Sequence, residues 1–239
     1  TVRAGRGYRH GSWLSFTARD GFCANVLCLV QDRQGYLWLG GDQGLSQFDG
    51  ACVTTFGQDD GLPSDWVAAI ALDRQGELWV GTQAGLSRYD GRSFCNYDSA
   101  DGLPDNSVRT LFEDGSGRLW VGTDGGLSEL DGASFRNLTM RDGLPNDAVK
   151  TVREDRGGRL WIGTAGGLCV RDGGSLRTLT TADGLPPASI RSILEDRHGR
   201  LWIGTQAGLV EIVGTAVRPG LLAGHPEAVA PVEAMREDR

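Results

Sequence analysis

The stretch "DRQGYLWLGGDQGL" runs from Asp32 to Leu45 and combines a turn, an aromatic strand and a glycine-rich segment of the kind that cradles phosphate. The same words return as "DRQGELWVGTQAGL" at Asp73, "DGSGRLWVGTDGGL" at Asp114, "DRGGRLWIGTAGGL" at Asp155 and "DRHGRLWIGTQAGL" at Asp196. A phosphate loop is needed once. Five copies therefore point to architecture, and the repeat has to be read before any local motif.

Aligned on Trp38, Trp79, Trp120, Trp161 and Trp202, the chain repeats every 41 residues with no insertion. Each unit reads as four short strands. Strand a opens at Val26, Val67, Val108, Val149 or Ile190 and ends at the repeated aspartate; a turn at Gly35 and its counterparts leads into the "LW" of strand b, rich in residues that suit a pleated surface. Gly44, Gly85, Gly126, Gly167 and Gly208 then precede a repeated leucine, where a tight turn needs a positive φ that glycine adopts at least cost. Strands c and d follow. Four antiparallel strands in about 40 residues make one blade of a β-propeller, because such a sheet has two apolar faces and needs neighbours to cover both.

The fold expected is therefore all-β, a propeller of five four-stranded blades. Residues 19–59, 60–100, 101–141 and 142–182 form blades one to four, and 183–214 supply strands a to c of blade five. Residues 215–239 read as an irregular tail or linker. "YRHGSWLSFTARDG" at the N-terminus matches "YDGRSFCNYDSADG", with Trp13 in the place of Phe94 and Phe16 in that of Tyr97. This orphan strand d, within residues 1–18, is expected to complete blade five and close the ring, which removes an exposed edge. Part of a larger ring, or partial rings that assemble, is the alternative.

Composition narrows the function. Glycine, 37 of 239 residues, punctuates turns without a collagen period. A net charge of −7 with no basic run argues against nucleic acid as a partner. No apolar stretch reaches the roughly 20 residues of a membrane helix, so no membrane insertion is expected of this sequence. Cys23, Cys28, Cys52, Cys95 and Cys169 are odd in number and fall at different repeat positions, so they read as small apolar fillers and not as a disulfide framework or metal site.

"EDRHGRLWIGTQAGL" and "SRYDGRSFCNYDSADGLP" resemble the two-component regulator propeller repeats, and the resemblance covers about residues 8 to 214. It implies the extracytoplasmic, periplasmic sensor part of a bacterial hybrid histidine kinase or related signalling protein, with a cytoplasmic location as the alternative. The departures are five repeats where such sensors carry many more, and no kinase or membrane segment in this sequence.

Residues that recur hold the fold, so specificity should sit where the copies differ. The residue eleven before each tryptophan is Leu27, Ala68, Arg109, Lys150 or Arg191, which places a cation near the start of strand a in three consecutive units, at the expected channel mouth. Converging cations in a partly dry space attract carboxylate or phosphate strongly. The competing structural reading pairs them with the loop carboxylates Asp65, Asp105 and Asp147. Trp66 in the same loop class offers an aromatic face, or plugs the mouth; Asp65, Asn106, Gln83, Asp124 and Gln206, with Asp42 and Gln43, offer hydrogen bonds suited to a carbohydrate, or are solvated turn residues. The five repeat tryptophans, Trp13 and Phe16 are read as structural.

No catalytic residue, metal or cofactor is assigned. His10, His198 and His225 lie in turns and the tail, and Glu113, Glu154 and Glu195 read as serving the a–b turns. The expected partner is a small molecule or oligosaccharide, or else a protein; a monomer is favoured, with an oligomeric ring as the alternative. The expected function is a non-catalytic sensor, with an interaction scaffold second and a propeller lyase or lactonase third.

Overall fold

A computed structural model of the chain describes residues 2–3, 8–10, 13–132, 134–214, 216–219 and 235. They form five sheets, each with four antiparallel strands drawn from one repeat, and the residues group into two compact units, 1–113 and 114–239. The boundary falls in the a–b turn of the third repeat.

In the first unit, blade one comprises Val26–Gln31, Leu37–Gly41, Gly44–Phe48 and Cys52–Phe56, with Val2–Arg3 added outside the last strand. Blade two comprises Val67–Leu72, Leu78–Thr82, Gly85–Tyr89 and Phe94–Tyr97, and Val108–Glu113 opens blade three. In the second unit, Leu119–Thr123, Leu127–Asp131 and Ser134–Leu138 continue blade three. Blade four is Val149–Glu154, Leu160–Thr164, Gly167–Asp172 and Ser175–Leu179, and blade five is Ile190–Glu195, Leu201–Thr205, Gly208–Val213 and Ala216–Pro219.

The last strand corrects the expectation for the ends. Ala216–Pro219 pairs with Gly208–Val213 and fills the edge assigned to the N-terminal strand, while Trp13–Ser15 pairs with Tyr8–His10. Gly214, at φ +68, makes the tight turn that lets the fifth repeat complete itself, and proline is acceptable because the strand lies at a sheet edge. Phe16 packs within 5.1 and 5.5 Å of Phe22 and Phe48, inside blade one. The side chain of Trp13 and nearly all of residues 220–239 lie outside the described residues.

One hydrogen-bond unit recurs in every blade. The indole N–H of Trp38, Trp79, Trp120, Trp161 and Trp202 donates to Oδ2 of the aspartate six residues earlier, at 2.8, 2.9, 2.9, 2.7 and 3.1 Å. The other oxygen of that carboxylate accepts the amide four residues on, from Tyr36 to Arg200, at 2.8 to 3.1 Å. The a–b hairpin is thus tied to strand b. In blades three to five, Arg118, Arg159 and Arg200 also donate Nε to the aspartate, at 2.7, 2.8 and 2.6 Å, and lie over the tryptophan ring. Burial alone would raise the pKa of Asp114, Asp155 and Asp196, but the indole, amide and guanidinium donors outweigh it and hold all three below the usual carboxylate value.

Packing between blades follows a second rule. A Cβ on Gly40 would stand 2.4 Å from Val67 Cγ1, one on Gly81 2.5 Å from Val108 Cγ1, and one on Gly163 2.5 Å from Ile190 Cγ2. Gly40, Gly81 and Gly163 of the "LW-x-G" copies are therefore seats for the β-branched residue that opens the next strand a. The turns add staples: Arg74 and Arg156 amides donate to Glu113 and Glu195 at 3.2 and 2.7 Å, and the Gly115 amide donates to Glu154. The recurrent glutamates do serve a–b turns, though those of the preceding blade.

Two outcomes test these rules. Gly163→Ala should destabilise the protein by about 1–3 kcal/mol through overpacking, and in urea denaturation its cost together with Ile190→Ala, which removes Cγ2, should fall short of the sum of the two single costs. Because a lowered carboxylate pKa contributes stability that is present above the unfolded value of about 4 and lost as pH falls through the folded value, Asp155→Asn should shrink the loss of Tm between pH 5 and 2.

Candidate functional site

The d–a loops are built from "DGLP". Asp20, Asp60, Asp101, Asp142 and Asp183 each accept the amide three residues earlier, at 2.8 to 2.9 Å. The following glycines, Gly21, Gly61, Gly102, Gly143 and Gly184, have φ between +93 and +111. The next residue, Phe22, Leu62, Leu103, Leu144 or Leu185, is buried. The loop is thus anchored at its constant start, and its variable end leads into strand a.

Strand a enters through a bulge. Pairing with strand b shifts register between Val26 and Cys28, Val67 and Ala69, Val149 and Thr151, and Ile190 and Ser192. The residues skipped are Leu27, Ala68, Lys150 and Arg191, at a position where the repeats differ in charge. A bulge leaves one residue out of the ladder and re-aims its side chain, and such features gather beside binding sites. Periodicity could not reveal it, because the extra residue sits at the same place in these four repeats and leaves the 41-residue spacing intact.

The b–c turns reach the same rim. The amides of Gln83, Ala165 and Gln206 donate to the carbonyls of Trp66, Ala148 and Ser189, joining each turn to the loop that precedes strand a of its own blade. Gln83, Gln206 and Gln43 are exposed, and Trp66 is exposed over 39% of its surface. In the second unit, Lys150 Nζ donates to Asp124 Oδ1 at 2.9 Å, with side chains 24% and 30% exposed. Its partner is therefore a b–c turn of the preceding repeat and not Asp147. Lys150 and Arg191 are both half-buried and open strands that lie next to each other. Arg109 holds the equivalent position in Val108–Glu113 of the first unit.

The loop polar residues have structural duties of their own. Asp65, Asn106 and Asp147 reach back to accept the amides of Gln58, Ser99 and Met140 at 2.9, 2.7 and 2.7 Å, and Asp105 accepts the Ser107 amide at 2.7 Å. Asp42 accepts from the side chain of Asn25 at 2.5 Å. Each of these carboxylates or amides retains further acceptor capacity. Burial pushes the thiol of Cys28 up to about 12 and raises those of Cys23 and Cys169, as suits apolar filling; Cys95 is exposed.

The model of a family described as "two component regulator propeller" matches residues 20–43, 61–84, 102–125, 143–166 and 184–207, once per blade. The chain belongs to this family. Each match runs from the d–a loop, at Asp20, Gly61, Gly102, Gly143 or Gly184, into the b–c turn, so the two component regulator propeller signature spans strand a, the clamped hairpin and strand b together. Comparison with curated proteins returns no match.

Solved structures similar to this regulator propeller include the extracellular domain of a protein described as a hybrid two component system of B. thetaiotaomicron, at 24% identity and TM-score 0.75 over 89% of this chain and 31% of that one. PorZ, a surface component of the type-IX secretion system of Porphyromonas gingivalis, matches at 17% identity and TM-score 0.62 over 86% of this chain and 35% of that one. A catalytically inactive virginiamycin B lyase from Staphylococcus aureus, with quinupristin, matches at 12% identity and TM-score 0.66 over 82% of this chain and 69% of that one. This chain spans about a third of the length of the hybrid-system domain. At these identities the likeness is one of fold. Among the described residues no helix is long and apolar enough to cross a membrane.

Because the Lys150–Asp124 pair is partly open to water, its own contribution to stability is small. Lys150→Gln should change unfolding free energy by less than about 1 kcal/mol, so that any larger effect on ligand binding reads directly on the rim.

Proposed function

We propose that this chain is the ligand-sensing propeller segment of a bacterial extracytoplasmic signalling protein, non-catalytic, and that its rim takes a carboxylate-bearing small molecule or acidic oligosaccharide. The observation that carries the reading is the bulge that lifts Lys150 and Arg191 out of the strand ladder at a recurring position where the last three repeats carry a cation in place of an apolar residue. Scaffold residues in this chain repeat; Leu27, Ala68, Arg109, Lys150 and Arg191 do not. Membership of a regulator family, and the likeness to an extracellular domain of a two component system, support placing that rim in a sensor outside the cytoplasm.

The chemistry is that of recognition. Lys150 supplies a point charge with three donors and Arg191 a planar fork suited to a carboxylate, while Asp124 and Gln206 stand on the b–c turns of the same unit for hydroxyls. Asp124, already paired with Lys150, keeps that cation oriented in the absence of ligand and can accept from a sugar hydroxyl in its presence. Function as a protein-binding scaffold is the second reading, and the test separates the two.

Thermal unfolding against a panel of acidic oligosaccharides and small carboxylates is the experiment. A ligand present at 100 times its Kd should stabilise the protein by about 2.7 kcal/mol, and Lys150→Gln combined with Arg191→Gln should abolish that shift without lowering the Tm of the free protein by more than a few degrees. A panel in which nothing shifts the Tm, or a shift that survives the double substitution, rejects the rim as the binding site.

A further inference from the structure

Four of the five repeat tryptophans carry a guanidinium supplied by the chain itself. Arg88 Cζ lies 5.9 Å from the ring centroid of Trp79, and Arg118 and Arg171 lie 5.5 and 5.2 Å from that of Trp120. Arg159 and Arg200 lie 5.4 and 5.3 Å from the rings of Trp161 and Trp202. Among the described residues, none lies over Trp38. The positions that supply the cation elsewhere hold Tyr36 in place of Arg118, Arg159 and Arg200, Gln47 in place of Arg88, and Tyr89 in place of Arg171. Arg33, the nearest arginine in sequence, is committed elsewhere, with Nη2 donating to the Arg74 carbonyl at 2.7 Å.

The clamp on Trp38 is correspondingly incomplete. Asp114, Asp155 and Asp196 each take an arginine Nε on the oxygen that also accepts the indole, whereas among the described residues Oδ2 of Asp32 accepts the Trp38 indole alone. Asp32 is half-buried where those three are buried. A groove of about 470 Å³ between blades one and two, inside the first unit, reaches this carboxylate. Tyr36, Trp38 and Tyr89 line it with aromatic surface, of which Tyr36 is 37% exposed. Asp32, Glu77 and Asp90 also line it, and no lysine or arginine does. Glu77 meets Arg88 at 3.3 Å and Asp90 holds the amides of Arg92 and Ser93, while Asp32 keeps an acceptor position open. Aromatic rings beside carboxylates attract a cation, and a planar guanidinium can satisfy a carboxylate edge and stack on an aromatic face at once.

We propose that this groove binds a guanidinium group brought by a ligand, which completes the Asp32–Trp38 clamp as Arg118, Arg159 and Arg200 complete theirs. The chain shows three times over that an aspartate and tryptophan in this arrangement accept that group. Its source is free arginine or a related small molecule, or else an arginine of a peptide; an ammonium fits less well because it lacks the planar edge. The site lies at the a–b and c–d turns, the other end of the strands from the rim, and does not rest on the anionic ligand assigned there.

Isothermal titration calorimetry with agmatine, L-arginine and a blocked tripeptide with arginine at its centre, set against L-citrulline and L-lysine, tests this. The expected result is saturable binding of the guanidinium compounds, at least tenfold tighter than that of citrulline, their uncharged isostere, or of lysine. Tighter binding of the tripeptide assigns the site to an arginine of a partner protein, and tighter binding of agmatine or arginine to a small molecule; either order supports the proposal. Tyr36→Arg and Gln47→Arg rebuild the self-supplied cation in the manner of Arg118 and of Arg88. Each should weaken binding by at least tenfold and leave the Tm of the free protein unchanged or higher. Absence of saturable binding by every guanidinium compound, equal binding of citrulline or lysine, or binding that both folded variants retain overturns the proposal.

Discussion

Everything in this protein depends on one hydrogen-bonded carboxylate per blade. An aspartate at the end of strand a would be costly to bury unpaired, yet Asp114, Asp155 and Asp196 are nearly sealed from water because the tryptophan indole, two turn amides and an arginine converge on them. The clamp sets the a–b turn, the position of strand b and the orientation of the tryptophan in a single arrangement. With the tryptophan fixed, the face that meets the next blade is fixed too.

The second constraint is absence of bulk. Gly40, Gly81 and Gly163 lie where a methyl group would collide with the next strand, so blades approach more closely than two ordinary side-chain layers allow. Each blade then supplies both a seat and a knob. Glu113, Glu154 and Glu195 reinforce this contact from the turns, binding amides of the preceding blade.

Function falls to what the scaffold leaves free. The bulge in strand a recurs in blades one, two, four and five, so it costs no irregularity in the sequence, yet it turns one side chain of each out of the ladder. That residue is apolar in blades one and two, and cationic in three, four and five. Lys150 shows how the rim tempers such a charge, by a carboxylate on the neighbouring repeat's b–c turn.

The sequence by itself determined the fold class, the blade count, the 41-residue period and the duties of the glycines, because each follows from local pattern: alternating apolar residues, and turns that demand positive φ, as at Gly85 with φ +138. The charge pattern along the rim was legible for the same reason. Tertiary structure alone decided the rest. The bulges at Lys150 and Arg191, the pairing of Lys150 with Asp124 across 26 residues and the use of Asp65 and Asn106 to hold their own loops depend on which backbone groups come within hydrogen-bonding distance. The N-terminal segment shows the limit most clearly. Its match to a strand d was real as a pattern, but Ala216–Pro219 could reach the open edge through a short glycine turn, and strand pairing answers to proximity and backbone hydrogen bonds more than to resemblance.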